Sequence, residues 1–166
     1  MGQIRYAEGL KVLPILKPQD IVATATASSY IDLDTSNWAT ILVQFGNIAS
    51  TDSTGEVVVT LEASTAGSSN ATEAAIAFSY RLSAAVDTDT MGAITAATAS
   101  GVAVGNASDN VLLVIDVDPA AVAAGAADRR FLRVVATPTS EITATLLNAV
   151  AVLEPRYRMN LIPSST

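Results

Sequence analysis

Apolar and polar residues alternate with a period of two along most of the chain. Within residues 57–62, one set of alternate positions is apolar throughout (Val57, Val59 and Leu61), and the other set includes polar residues (Val58, Thr60 and Glu62). This period places the two sets of side chains on opposite faces of a β-strand. The same period runs through residues 38–45. The full set of predicted strands is 21–26, 38–45, 57–62, 75–82, 93–98, 111–117, 131–137 and 142–153.

Turn-forming residues separate these stretches and complete the prediction of the fold. Clusters of Ser, Asn, Asp and Gly occur at 52–55, 66–70 and 105–109. About eight or nine short strands separated by such turn-forming clusters are typical of an all-β fold, an antiparallel β-sandwich or a jelly roll. One short helix is predicted within residues 118–127, where Asp118 is suited to capping and Pro119 to the first helical position.

Both ends of the chain are predicted to be extended arms. Pro14 and Pro18 are expected to prevent regular ladder pairing near the start. The sequence is therefore divided into an N-terminal arm (1–17), a β-sandwich domain (18–153) and a C-terminal arm (154–166). Apolar side chains near the end favour docking of the last arm, either on the domain itself or on another subunit.

Composition excludes most familiar enzyme designs. The chain has no cysteine and no histidine, which removes disulfides, thiolate nucleophiles, Cys/His zinc sites and imidazole bases. Charged residues are only 15% of the chain, against a usual share of about 25%. The surface must therefore be rich in Ala, Thr, Ser and Asn, which suits a protein that is covered by neighbours.

Charge is distributed unevenly along the chain. Residues 18–128 hold thirteen acidic residues and a single base, Arg81, whereas residues 1–17 carry a net +2 and residues 129–166 a net +3. One interpretation is that basic ends bind an acidic partner while the acidic body stays hydrated. The alternative is internal ion pairing of the arginines that follow the predicted helix, Arg129, Arg130 and Arg133.

Nucleic acid, membrane and metal are not expected partners. A net charge of −7 and a pI of about 4.3 oppose an approach to DNA. No apolar stretch reaches the roughly 20 residues that span a bilayer, and the start of the sequence lacks a secretory pattern, so we expect synthesis in the cytoplasm. Two carboxylates are too few for calcium at any of the three Asp-x-Asp pairs, Asp32/Asp34, Asp87/Asp89 and Asp116/Asp118.

Four segments resemble small virion structural proteins of tailed bacteriophages, most of all head decoration, or cement, proteins. They are 43–48 (VQFGNI), 58–65 (VVTLEAST), 153–157 (LEPRY) and 162–166 (IPSST). The resemblance implies a β-rich protein on the outside of the virion capsid. It also implies binding to the major capsid protein between capsomers and self-association as a homotrimer.

The interface is expected on the two arms, and no catalytic, cofactor or metal site is expected. Its candidate residues are Arg5, Tyr6, Lys11, Lys17, Arg156, Tyr157 and Arg158. Three alternatives remain open. They are a tail or fibre-associated virion protein, a hydrolase that uses paired carboxylates with calcium, and a carbohydrate- or surface-binding module with stacking platforms at Trp38, Tyr30 and Tyr80.

Overall fold

The structure is a computed structural model that describes residues 9–68, 72–84, 88, 90–125 and 129–156. Within these ranges the chain forms twelve β-strands and one short helix, α1 (Pro119–Gly125). The strands are β1 (Lys11–Asp20), β2 (Thr26–Ala27), β3 (Ile31–Asp32), β4 (Ser36–Ser50), β5 (Glu56–Ser64), β6 (Glu73–Ile76), β7 (Phe78–Leu82), β8 (Thr95–Ala97), β9 (Val102–Gly105), β10 (Leu112–Val117), β11 (Phe131–Pro138) and β12 (Ile142–Pro155).

The strands form two antiparallel sheets, which confirms the predicted all-β sandwich. Sheet 1 has the strand order β1-β12-β4-β10-β7-β8. Sheet 2 has the order β2-β11-β5-β6, and β3 and β9 join it by pairing with β11 and β5. Because consecutive long strands β4 and β5 lie in different sheets, the turn between them crosses from one layer to the other.

The core is built from alternate residues of the long strands, as the period of two requires. In sheet 1, Val43 of β4 lies between Ala149 of β12 and Leu113 of β10, and all three are fully buried. The next core row repeats this order with Ala151, Ile41 and Ile115. In both rows an alanine of β12 lies beside larger side chains of β4 and β10, which explains how an alanine-rich chain fills its interior.

The predicted helix is confirmed at the position where its capping residue was expected. The Asp118 side-chain Oδ1 accepts a hydrogen bond from the backbone N–H of Ala120 (2.8 Å), and the Asp118 carbonyl accepts one from Val122 (3.2 Å). Val122 is buried, so this short helix contributes to the core. Within the described residues, no helix has the length and apolar character needed to cross a bilayer.

Two of the predicted strands differ from the structure for local reasons. The strand predicted at 21–26 is reduced to β2 because Ala23 has a φ of 55°, in the left-handed region that a strand cannot include. The strand predicted at 75–82 is divided at Ala77 into β6 and β7, which belong to different sheets.

The expectation that proline keeps residues 11–17 out of the sheet is wrong. β1 pairs with β12 from Lys11, opposite Leu153, to Asp20, opposite Leu146. Because β1 is an edge strand, proline is tolerated there, and the register shifts on both sides of Leu16 accommodate it. The boundaries placed after residues 17 and 153 therefore fall inside β1 and β12. Residues 1–8 and 157–166 lie outside the described residues, so arms there stay a prediction.

Candidate functional site

The two ends of the described chain meet at one end of sheet 1. Antiparallel pairing of β1 with β12 brings the start of one strand beside the finish of the other. Arg156 then holds the chain to β4, since its N–H donates to the Thr35 carbonyl (2.8 Å) and its Nε to the Ser36 carbonyl (3.3 Å). We name this region the terminal end; it consists of Lys11, Ser36, Trp38, Glu154 and Arg156.

The structure brings some predicted interface residues together and separates another. Lys11 and Arg156 are both exposed and lie about 10 Å apart along the strand direction. Lys17 is also exposed but lies six residues further along β1, roughly 20 Å from Lys11. The remaining predicted residues, Arg5, Tyr6, Tyr157 and Arg158, lie outside the described residues.

An exposed aromatic ring with polar neighbours lies at the same end of sheet 1, opposite Glu154 of β12. Trp38 is 41% exposed, and its indole N–H points to Asp116 Oδ1 at 3.5 Å. The same oxygen accepts a hydrogen bond from the Thr40 hydroxyl at 2.9 Å. Asp116 lies opposite Thr40 in the β10–β4 register. The local sequence pattern does not predict this long-range pairing. Trp38 is therefore available as a stacking platform.

The other two proposed platforms are engaged inside the domain. Tyr80 packs against the core and makes an edge contact with Phe78, with ring centroids 6.3 Å apart. Tyr30 lies against the guanidinium of Arg133, 5.1 Å from the ring centroid, and its hydroxyl donates to a carboxylate oxygen of Glu73. Neither ring matches the exposed position of Trp38.

Arg133 is the centre of an ion-pair network on the outer face of sheet 2, so internal pairing is confirmed for this residue. Its Nε donates to Glu62 Oε2 at 2.8 Å, and its Nη2 also contacts Glu73. The side chains of Arg133, Glu62 and Glu73 are only 17%, 24% and 23% exposed. Low exposure strengthens such pairs relative to ordinary surface ion pairs.

The network shifts the protonation of two of its members. Burial and the hydrogen bond to Glu73 raise the pKa of the Tyr30 hydroxyl. Burial alone acts to lower the pKa of Arg133, but the hydrogen bond that Arg133 donates to Glu62 and the charges of Glu62 and Glu73 outweigh it and raise the pKa. The cation and the neutral phenol are thus the forms that the fold stabilises.

Arg130 is paired internally as well, but at the surface. Its guanidinium lies 3.9 Å from an Asp32 oxygen and 3.7 Å from an Asp34 oxygen, and it stacks on Phe131 at 4.9 Å. Its side chain is 51% exposed. Arg130 and Arg133 therefore belong to the domain's own structure, and the exposed cations of the terminal end are separate from them.

The aspartate pairs serve structural roles where the structure describes them. Asp32 and Asp34 face Arg130, and Asp118 caps α1. Asp87 and Asp89 lie outside the described residues. In the described part of the chain, no group of three or more potential ligands is arranged to hold a metal ion.

Comparison with known proteins adds one weak likeness. No protein-family model matches the chain, and no curated protein matches it. Among solved structures, a chain in "Structure of infectious bursal disease virus Gt strain" aligns over 92% of this chain and 43% of that chain. The identity is 12% and the TM-score 0.25. The present chain thus spans less than half of that chain, and a likeness at this level assigns neither a family nor a function.

Proposed function

We propose that this protein is a non-catalytic structural component of a virion that binds the outside of a phage capsid and stabilises contacts between capsomers. The observation that carries the proposal is the terminal end, where two exposed cations lie about 10 Å apart at the same end of sheet 1. The sequence resemblance to phage decoration proteins supports the same role, with the major capsid protein as partner.

The uneven charge of the chain is expected to turn the terminal end toward an acidic surface. The body from residue 18 to residue 128 carries a formal charge of −12, whereas Lys11 and Arg156 extend from a single end of sheet 1. Such a charge distribution orients a protein as it approaches an acidic surface. A protein that touches several capsomers adds contacts that must break together, so modest contacts give a large gain in shell stability.

Charge reversal in the full-length chain tests the proposal. A Lys11→Glu/Arg156→Glu variant is expected to bind heads that lack this protein at least about tenfold more weakly, because two attractions become repulsions. Lys17→Glu is the matched control, since Lys17 is an exposed lysine of the same strand away from the terminal end. Cosedimentation with the heads measures binding, and circular dichroism checks the fold.

Two results would count against this proposal in different ways. Full occupancy by the double variant would overturn the terminal end as the binding site, and no binding by the wild-type protein would overturn the function. Substitution is preferable to removal of residues 1–17, because that truncation deletes most of β1.

A carbohydrate-binding role is the second candidate, favoured by the exposure of Trp38 beside Asp116. Stacking of a sugar ring on an indole, with a carboxylate for its hydroxyls, is a common mode of recognition. A glycan array tests this role. Binding that disappears in Trp38→Ala would support it, and an array without any bound glycan would remove it.

A further inference from the structure

A band of apolar side chains crosses the face of sheet 1 that points away from the core. In one row, Pro14 lies opposite Val150, Val150 opposite Leu42, and Leu42 opposite Val114. In the next row, Val12 lies opposite Val152. We name these six residues the outer band: Val12, Pro14, Leu42, Val114, Val150 and Val152.

Apart from Val152, which is buried, the residues of the outer band remain exposed or partly exposed although they are apolar. Val12 is 47% exposed, and Leu42, Val114 and Val150 are each partly exposed. The core-facing neighbours of Leu42, Val114 and Val150 in the same strands are fully buried. A continuous apolar surface of this kind is typical of a site that another protein surface covers.

Charge on this face favours a second copy of the chain as the partner. Arg81 is exposed, lies opposite Val114, and forms no ion pair with any carboxylate of the described residues. It is also the single base between residues 18 and 128. Asp116 and Glu154 lie on the same face. The face therefore carries both signs of charge and complements itself, whereas much of the body is acidic and repels its own copy.

The size of the face fits a stable contact between two copies. The six strands of sheet 1 hold from 3 to 15 residues, so strands about 4.8 Å apart with a rise of about 3.3 Å per residue outline a face of roughly 800 Å². Stable interfaces bury roughly 800 Å² on each partner. The outer face of sheet 2 is a poorer candidate, because the Arg133 network already crosses it.

We propose that two copies of this chain pack outer band against outer band, with Arg81 of each copy facing a carboxylate of the other. A surface that contacts its own counterpart is related by a two-fold axis, so the assembly is a dimer. This differs from the homotrimer that the sequence resemblance implies. The dimer does not depend on capsid binding, and its test needs no capsid.

Sedimentation velocity of the full-length protein over a range of concentrations tests the contact. The wild-type chain is expected to sediment as a dimer, with twice the 17.0 kDa mass of one chain. Val150→Asp places a charge in the band and is expected to raise the dissociation constant at least about a hundredfold. Val135→Asp is the matched control, because Val135 is a partly exposed valine in the middle of β11 in sheet 2.

The outcomes separate the proposal from its rivals. A wild-type monomer at every concentration, or a wild-type trimer, would overturn the two-fold contact. A dimer that persists in Val150→Asp, when the far-ultraviolet circular dichroism is unchanged, would overturn the outer band as its interface. A dimer in which Val135→Asp dissociates instead would place the contact on sheet 2 and overturn the proposal too.

A second pair of variants tests the charge. Arg81→Glu is expected to weaken the dimer about tenfold, because an attraction across the contact becomes a repulsion. Arg130→Glu makes the same change of charge on the other sheet, and is expected to leave the dissociation constant unchanged. Equal effects of the two variants would overturn the assignment of Arg81 to the contact.

Discussion

The outer faces of the two sheets differ in the kind of side chain that they present and in how far those side chains are covered. On sheet 2, Arg133 is neutralised by two glutamates and covered by Tyr30, so its charges find their partners inside the domain. On sheet 1, Leu42 and Val150 occupy equivalent outward positions and remain partly exposed. The half-buried charges of sheet 2 therefore have their partners within one chain, whereas the apolar residues of sheet 1 form a surface that a second protein can cover.

Removal of the central cation should have the largest effect. Arg133→Met leaves Glu62 and Glu73 close together without a countercharge, and we expect a loss of about 3 kcal/mol in the free energy of unfolding. Arg130→Met is the control, since its exposed ion pairs should contribute less than about 0.5 kcal/mol. Urea denaturation measures both. Similar losses in the two variants would contradict the difference between a half-buried network and a surface pair.

Loss of the hydroxyl that covers this network should have a smaller effect. Tyr30→Phe removes the hydrogen bond to Glu73 and should cost about 1 kcal/mol near neutral pH. Because the folded-state pKa of Tyr30 is raised, this contribution is present below the ordinary pKa of tyrosine and is lost as the pH rises through the raised value. Thermal unfolding measured at rising alkaline pH should therefore bring the two proteins closer together. A difference that widens with pH would contradict this.

A substitution in the outer band should change association more than folding. Leu42→Thr keeps a side chain suited to a strand, so the dilute protein should lose less than about 1 kcal/mol. For the wild-type protein, the melting temperature should rise with protein concentration, because association stabilises the folded state. This rise should be weaker in Leu42→Thr. A large loss of stability that is equal at all concentrations would indicate a core role for Leu42.

The turn between β4 and β5 and the adjoining turn between β11 and β12 should show the smallest effect. Hydrogen bonds from Thr54 lower the pKa of Asp52, and one from Ser140 lowers the pKa of Glu141. Their contribution is present above the ordinary carboxyl pKa and is lost as the pH falls through the lowered values. The melting temperature of Asp52→Asn should therefore lie slightly below that of the wild-type protein at neutral pH and converge with it in acid. An unchanged gap in acid would contradict this assignment.

Local patterns in the sequence were enough for much of the fold. Alternation through β4 and β5 predicted which side chains face the core, and Asp118 with Pro119 predicted α1, because both signals depend on near neighbours. The strand predicted at 21–26 failed at Ala23, because its left-handed backbone conformation is not encoded in the alternation of apolar and polar residues. The prediction based on Pro14 was wrong because a proline prevents pairing only in some positions of a sheet. An edge strand tolerates it, and only the sheet order reveals that β1 is an edge strand.

The candidate site depended more on long-range pairing than on motifs. The charge pattern selected Lys11, Lys17 and Arg156, but only the pairing of β1 with β12 groups the first and last of these. The sequence left Arg133 open between internal pairing and a partner, because Glu62 and Glu73 are far from it along the chain. The outer band was likewise hidden, since it is assembled from four strands whose order the sequence does not state.

Quantitative mass spectrometry of purified virions that carry this protein tests the central claim most directly. The proposed capsid role predicts a copy number comparable with that of the major capsid protein. A few copies per particle would indicate a tail or fibre component instead. Absence from the particle would contradict a structural role in the virion altogether.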